Sequence, residues 1–599
     1  MNWQNELLDS GFWLAKAFIG SVFFLILLGV ILVRFTQWGR QFWHIAAQYL
    51  NPRSNFAAML LFGAILFMSL LNVRLNVVIS NWYNKMYGSL QDYQADLFWH
   101  LMWVFAGLAT INVVLALVNY YLSQRFIIKW RTQLNYQFVA RWLANRTYYK
   151  THYSHGILDN PDQRIQQDVQ SFVTTTLGFA TGLVSAVTSI IAFTILLWGL
   201  SGSLSLGGVD IPHAMVFLTY LYVLVTSVMA FRLGRPLIQL NFLNEKLNAN
   251  FRYSLIRVKE YAESIAFYRG EKTEKNLLTQ QFNAVIGNVW QIVFRTLKFS
   301  GFNLIVGQAS TVFPFLIQAG RFFQKQISLG DLMQTGQVFG QLHSSLSFFR
   351  NSYDDFASYR ATLDRLTGFS DAMQSAETLT MPEIIHQGEC IALDNVTVYT
   401  PMQRMLIKNL TLTIPKSAWV LIQGQSGVGK TTLLRSLAGL WAFAEGQIHV
   451  PRHALFLSQK PYLPQGRLLD AMYYPEQAPE KTNYDTETAL LQQVQLGHLC
   501  EKLVVHNEWT QVLSLGEQQR LAFARALLQK PDVIYLDEAS ASMDEGLEDA
   551  MYRLLKHALP HTTVVSVGHR STLKAWHETH LTIHADGSWQ IHSSADRTL

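Results

Sequence analysis

The run "WVLIQGQSGVGKTTLLRSLAGLW", Trp419 to Trp441, changes character twice within its length. "WVLI" is a short apolar run of the kind that forms a buried strand, "GQSGVGKTT" is polar and glycine-rich, and "LLRSLAGLW" has the spacing of an amphipathic helix. Strand, then Gly424-x-x-x-x-Gly429-Lys430-Thr431, then helix is the order of a phosphate-binding loop. Backbone N–H groups of Gly424, Gln425, Ser426, Gly427, Val428 and Gly429 wrap the phosphates, and the helix amino terminus favours their negative charge. Lys430 reaches the terminal phosphates, and Thr431, followed by Thr432, offers a hydroxyl to Mg²⁺.

Downstream, "DVIYLDEAS" is a second apolar strand, which delivers Asp537 and Glu538 at its end. Two carboxylates there can simply cap a strand. Beside a phosphate loop they divide a labour: Asp537 holds Mg²⁺ and Glu538 orients and polarises the attacking water. Two further polar residues follow apolar strands in a compatible order, Gln459 in "ALFLSQK" and His569 in "TTVVSVGHRS". Either alone reads as an ordinary surface residue; together they suit sensing of a terminal phosphate, with Gln459 also near the metal. These pieces define an α/β nucleotide-binding domain over 387–599, preceded by a polar linker at 370–386.

The rest of the chain is of a different kind. The overall 50% of hydrophobic residues conceals long, nearly uncharged runs confined to the amino-terminal part. Windows at 13–33, 57–80, 99–122, 173–200, 212–231 and 299–320 reach the length of about 20 residues needed to cross a bilayer, and a more polar seventh lies at 328–350. Basic residues concentrate between them, as in 123–172 and 232–298, whereas 201–211 has none. The net charge of +6 therefore reflects positive-inside topology rather than a nucleic-acid surface. Residues 1–50 read as an extra spanning helix plus a cytoplasmic loop, and 51–369 as the main membrane domain. The leading region is acidic, with Glu6 and Asp9, and no small-residue cleavage site follows, which argues for an anchored helix rather than a signal peptide. Arg74, inside the second window, either pairs or snorkels near the outer end of its helix or serves a cavity. The cysteines Cys390 and Cys500 have no metal-ligand spacing and suggest neither a disulfide framework nor a zinc site.

In this order the motifs resemble the nucleotide-binding domain of an ABC transporter. "GQSGVGKTT" corresponds to its Walker A loop, Gln459 to the Q-loop, "LSLGEQQR" to the signature, "VIYLDE" to Walker B, "SASMD" with Asp544 to the D-loop and His569 to the switch histidine. The signature departs from LSGGQ at Leu515 and Glu517 and keeps Ser514 and Gly516. The resemblance places Ser514, Gly516, Glu517 and Asp544 against nucleotide, and offers Tyr399, about one residue from the usual position, for adenine. "NWYNKMYGSLQ", "LDNPDQRIQQDV", "ESIAFYRGE" and "SVGHRSTLKAWHE" resemble the branch containing peroxisomal acyl-CoA half transporters and bacterial SbmA/BacA-like proteins.

The resemblance implies an α-helical polytopic membrane domain, six core spans plus one extra amino-terminal helix, followed by an α/β P-loop ATPase. It further implies a homodimer through both domains, with ATP and Mg²⁺ held between Lys430 of one chain and Ser514 of the other. The expected activity is ATP-driven movement of a bulky substrate, such as a peptide, cobalamin or an acyl-CoA-like lipid, across a bacterial inner membrane, with the nucleotide-binding domain cytoplasmic. The alternative is a membrane-anchored ATP-binding regulator or sensor.

Overall fold

The computed structural model describes residues 3–51, 53, 55–153, 160–202, 204–206, 209–379, 381–386, 388–480 and 483–593. Leu158 and Asp159 of "LDNPDQRIQQDV", Thr380 of the linker and position 387 lie outside these residues. Two units make up the chain: Met1–Tyr148 with Gly156–Gln374, and Tyr149–His155 with Ser375–Leu599.

The first unit is helical. Its helices are α1 (Trp3–Phe35), α2 (Gln37–Leu50), α3 (Phe56–Gln91), α4 (Ala95–Leu143), α5 (Val169–Leu200), α6 (Ala214–Glu260), α7 (Glu271–Phe323), α8 (Leu329–Asn351) and α9 (Tyr353–Glu377). Among the described residues, six helical segments are long and apolar enough to cross a membrane, beginning with Leu8–Phe35 and ending with Glu271–Phe323. The seventh window is the 23-residue α8. Its polarity is directed at α3: Asn84 Nδ2 donates to Asp331 Oδ1 at 2.8 Å and Gln334 Oε1 at 2.9 Å, and Gln334 Nε2 donates to Asn81 Oδ1 at 3.1 Å. Gln334 is buried, so these bonds replace water the helix has lost.

Two sequence expectations are revised here. Residues 37–50, read as a loop, form α2, started by Thr36, whose side chain accepts from Gly39 N. The first part of the linker belongs to α9, which runs to Glu377. Arg74 is a paired residue: Nη2 lies 3.0 Å from Glu6 Oε1, Nε donates to Ser10 Oγ at 2.9 Å, and the guanidinium sits 5.8 Å from the Trp13 ring centroid. One side chain of α3 thus fastens α1 by an ion pair, a hydrogen bond and a cation–π contact. A buried charge, Asp168, accepts from Arg164 at 2.6 Å and from Arg365 at 2.9 and 2.7 Å, tying α9 to the start of α5.

At 1.5 Å per residue, the 47 residues of α6 and 53 of α7 extend roughly 70 and 80 Å, far beyond the ~30 Å hydrocarbon core. Both spans continue past the membrane as a helical stalk.

The second unit contains β1 (Ile391–Tyr399), β2 (Met405–Ile414), β3 (Trp419–Gly424), α10 (Lys430–Leu437), β4 (Ala444–His449), β5 (Ala454–Ser458), α11 (Leu515–Gln529), β6 (Val533–Asp537), α12 (Glu545–Ala558), β7 (Thr563–Val567), β8 (Thr579–Ile583) and β9 (Trp589–Ser593). One sheet has the order β9-β8-β3-β7-β6-β5 and is parallel except for β9. A smaller sheet runs Ile384–Ile385, β4, β1, β2. Every residue of β7 and the first four of β6 are buried, as strands covered on both faces must be. Residues 149–153 belong to this unit too. Tyr153 packs edge-on against Trp441 and Phe443, with centroids 5.2 and 6.1 Å away.

His577 lies in the core of this unit, its ring nitrogens 2.8 Å from Ser566 Oγ and 2.7 Å from Leu573 O. Burial pulls its pKa down to about 4. Between roughly pH 6.5 and 4 the unfolded chain therefore binds a proton that the folded chain does not. As the pH is lowered across that window, stability is expected to decrease by up to ~1.4 kcal/mol per pH unit from this group. The acid slope of the thermal midpoint of the purified full chain should be shallower in His577→Gln. An identical slope in the variant contradicts this.

Candidate nucleotide-hydrolysing site

Strand register decides where the site residues meet. Asp537 pairs with Ser458 on one side and Val567 on the other, and Val567 pairs with Ile422. The carboxyl ends of β5, β6, β7 and β3 are therefore level. The residues that follow, Gln459, Glu538, the Gly568–His569 pair and the loop 424–429, emerge along one edge of the sheet, where ligands of open parallel sheets bind.

The loop has the shape its sequence implies. Gly424 has φ 148°, and a Cβ there would lie 2.4 Å from Ile583 O; Gly429 has φ 106° and precedes α10 directly. Val428 is buried and anchors the loop, while Gln425, Ser426 and Gly427 are exposed. Lys430 donates from Nζ to Gly424 O at 2.9 Å and Gln425 O at 2.8 Å, folding back over the loop. Burial pushes its pKa down, opposed by the nearby Glu538 and Asp537 carboxylates. Thr431 Oγ1 donates to Asp537 Oδ1 at 3.0 Å. Burial raises the Asp537 pKa, with the Glu538 charge adding to it against the Thr431 hydrogen bond.

A hydroxyl and a carboxylate in contact beside a phosphate cradle fit Mg²⁺, which binds through one or two protein oxygens and completes its shell with phosphate and water. Among the described residues there is no group of three or more His, Cys, Asp or Glu able to hold a metal.

Glu538 occupies the left-handed region at φ 50°, and its N–H donates to Val567 O at 3.1 Å. That unusual backbone turns its carboxylate toward the β7 end, where Oε1 lies 3.7 Å from His569 Nε2. Glu538 and His569 are thus neighbours at the sheet edge. Gln459 is exposed just beyond β5.

The signature turn starts α11. Ser514 is its N-cap, with Oγ accepting from Glu517 N at 3.4 Å, while Glu517 Oε2 accepts from Ser514 N at 2.9 Å and Ser514 Oγ at 2.8 Å. Its other oxygen is 3.1 Å from His498 Nε2. Burial works upward on the Glu517 carboxyl, but the Ser514 bonds, with His498 and Arg520, hold it below its ordinary range. The departure at Glu517 therefore has a local reason: a carboxylate completes the capping box. Gly516 is required by packing, since a Cβ there would lie 2.9 Å from Ser542 O.

Asp544 caps α12, accepting from Leu547 N at 2.8 Å. Tyr399 stands at the end of β1, paired with Met405, and its hydroxyl is 3.4 Å from Glu445 Oε2. It lies on the smaller sheet, apart from the strand-end cluster, but the neighbouring Leu406 lies beneath Gly429. Three residues escaped the sequence reading. Gln518 donates to Thr510 O and Leu513 O, fixing the approach to the signature; Gln519 and Arg570 bond to the loop before Asp544. The "QQR" that follows Glu517 was the available signal for the first two.

The same architecture recurs in known proteins. Residues 45–323 match the model of the ABC transporter transmembrane region 2 family, and residues 407–541 that of the ABC transporter family. An uncharacterized ABC transporter ATP-binding protein of Haemophilus influenzae is 57% identical, over 99% of this chain and 100% of its own. The human lysosomal cobalamin transporter ABCD4 is 26% identical over 85% of this chain and 88% of its own. Among solved structures, a bacterial Atm1-family ABC exporter with ATP bound shares the fold with a TM-score of 0.65 at 17% identity, covering 89% of this chain and 95% of the other. The chain belongs to the ABC transporter family: it is a fused membrane and ATPase half transporter that binds and hydrolyses ATP.

Proposed function

We propose that two copies of this chain form an ATP-driven transporter of the bacterial inner membrane that moves a bulky substrate by alternating access. The observation that carries the reading is the presence, in one chain, of a complete set of strand-end hydrolytic groups and of spanning helices prolonged as a stalk. Family membership and a dimeric half-transporter architecture support it. So does the surface beyond the apolar windows of α6 and α7: Phe267 is 79% exposed and Tyr268 87%, on the short helix Ala262–Tyr268 between α6 and α7, and Trp290 57%, on α7, a placement that calls for a second protein surface.

ATP binds along loop 424–429 with Lys430 on its terminal phosphates, Tyr399 beside the adenine, and Ser514, Gly516 and Glu517 supplied with Asp544 by the second copy. Thr431 and Asp537, with Gln459 close by, would hold Mg²⁺, which would supply positive charge against the phosphates. Glu538 orients water and His569 steadies the terminal phosphate. The name of an Escherichia coli relative, the inner membrane ABC transporter ATP-binding protein YddA, 30% identical over 86% of this chain and 92% of its own, and the basic loops support an inner membrane with the ATPase unit cytoplasmic.

Cobalamin, a proline-rich peptide and an acyl-CoA are the substrates to test, the first suggested by the name of the human relative. In sealed proteoliposomes of both orientations, one of them is expected to accumulate in the presence of ATP and not with Glu538→Gln. ATP hydrolysis without flux of any candidate in either orientation leaves the regulator or sensor reading instead.

A further inference from the structure

We propose that Gln519 is a positioning residue that couples Gln459 to the signature helix and to the Ser540–Asp544 loop; this rests on Gln459 acting as a sensor of the terminal phosphate. Gln519 is fully buried on α11, five residues after Ser514. Its Nε2 donates to Gln459 O at 2.7 Å, and its Oε1 accepts from Ser542 N at 3.1 Å. One amide thus joins two backbone segments that regular secondary structure does not hold. Among the described residues, Gln519 makes the one hydrogen bond to Gln459.

The loop beyond is gripped on both flanks. Gly516, one turn before Gln519 on the same helix, lies against Ser542 O. From the far side Arg570, next to His569, donates to Met543 O at 2.7 Å and Ala541 O at 3.0 Å. The buried carboxylate of Glu548 takes hydrogen bonds from Ser540 and from Thr572. A buried amide left without its partners costs free energy, so the Gln459 backbone, and with it the base of its side chain, cannot shift toward or away from a phosphate without moving α11 and the loop, or breaking these bonds. Since Ser514 begins that helix, the state of one nucleotide site is passed to the surface offered to the other. The coupling runs through packing and hydrogen bonds within a single chain.

The test is a double-mutant cycle on the full chain in nanodiscs. Gln519→Met keeps the volume and removes both hydrogen bonds, whereas Gln519→Glu keeps an acceptor for Ser542 N and sets an oxygen against Gln459 O. Each is expected to lower kcat for ATP about tenfold or more with KM changed by less than about threefold, because a misplaced catalytic group costs rate rather than ground-state binding. In a Gln459→Ala background, the further loss should shrink to less than about twofold. A general packing role gives instead the same loss in both backgrounds. That additive result, or kcat within about twofold of wild type for both variants, overturns the proposal. If Gln519→Met does not fold, as judged by its thermal midpoint, Gln519→Glu is read through the same cycle. Undiminished turnover in Gln459→Ala alone overturns the sensor reading of Gln459 and the coupling with it; reduced turnover there with additive Gln519 losses overturns the coupling only.

Discussion

Replacing Glu538 with glutamine is expected to slow ATP turnover by roughly 100-fold or more while leaving ATP bound. The substitution keeps shape and the left-handed backbone at φ 50°, but exchanges a carboxylate for an amide that cannot polarise water. Its neighbours are set up for that task. The Glu538 N–H is fixed to Val567 O, Oε1 faces His569 at 3.7 Å, and Asp537, one residue earlier, is bonded to Thr431. In the proposed arrangement binding relies on other groups, chiefly the loop backbone and Lys430, so the variant should retain nucleotide and accumulate as a closed, ATP-containing dimer. Phosphate release and retention of labelled ATP through size exclusion measure the two halves. Turnover equal to wild type would show that another group activates the water.

Lys430→Ala is expected to act earlier, weakening ATP binding by roughly 100-fold or more. The lysine is buried, its charge opposed by desolvation and favoured by the Asp537 and Glu538 carboxylates. Without it those two acids face the phosphates with less compensation, and their repulsion adds to the lost charge-assisted contacts. Titration with a fluorescent ATP analogue reads this directly. Lys430→Ala and Glu538→Gln should therefore separate cleanly, one failing to bind and the other binding without turnover. Affinity within a fewfold of wild type in Lys430→Ala would remove Lys430 from the phosphate contacts.

The strand ends were the most legible part of the sequence. An apolar β-rich run gives both the strand and the residue that leaves its end, so Gln459, Glu538 and His569 could be placed on one edge before their register was known. Contacts across long separations were not readable in that way. Gln519 meets a carbonyl 60 residues away, and Arg74 finds Glu6 at a separation of 68. Nothing local in either stretch specifies its partner. The helix at 37–50 is hard to read from sequence because its start depends on a single capping side chain at Thr36, and the start of the linker is obscured because polar composition conceals the last turns of α9. Part of the polarity of α8 has a local use that composition does not reveal: Asp331 and Gln334 face α3.

Tyr153 also bears on how this protein is to be handled. The segment Tyr149–His155 belongs to the ATPase unit although more than 200 residues separate it from Ser375. A soluble fragment cut at the linker would therefore lack one of its own pieces, leaving the Trp441 and Phe443 rings uncovered. Such a fragment is expected to self-associate through that bare aromatic patch. Low activity in it would report the missing segment rather than the chemistry of the sheet edge, and the intact polypeptide is the smallest object on which catalysis can be judged.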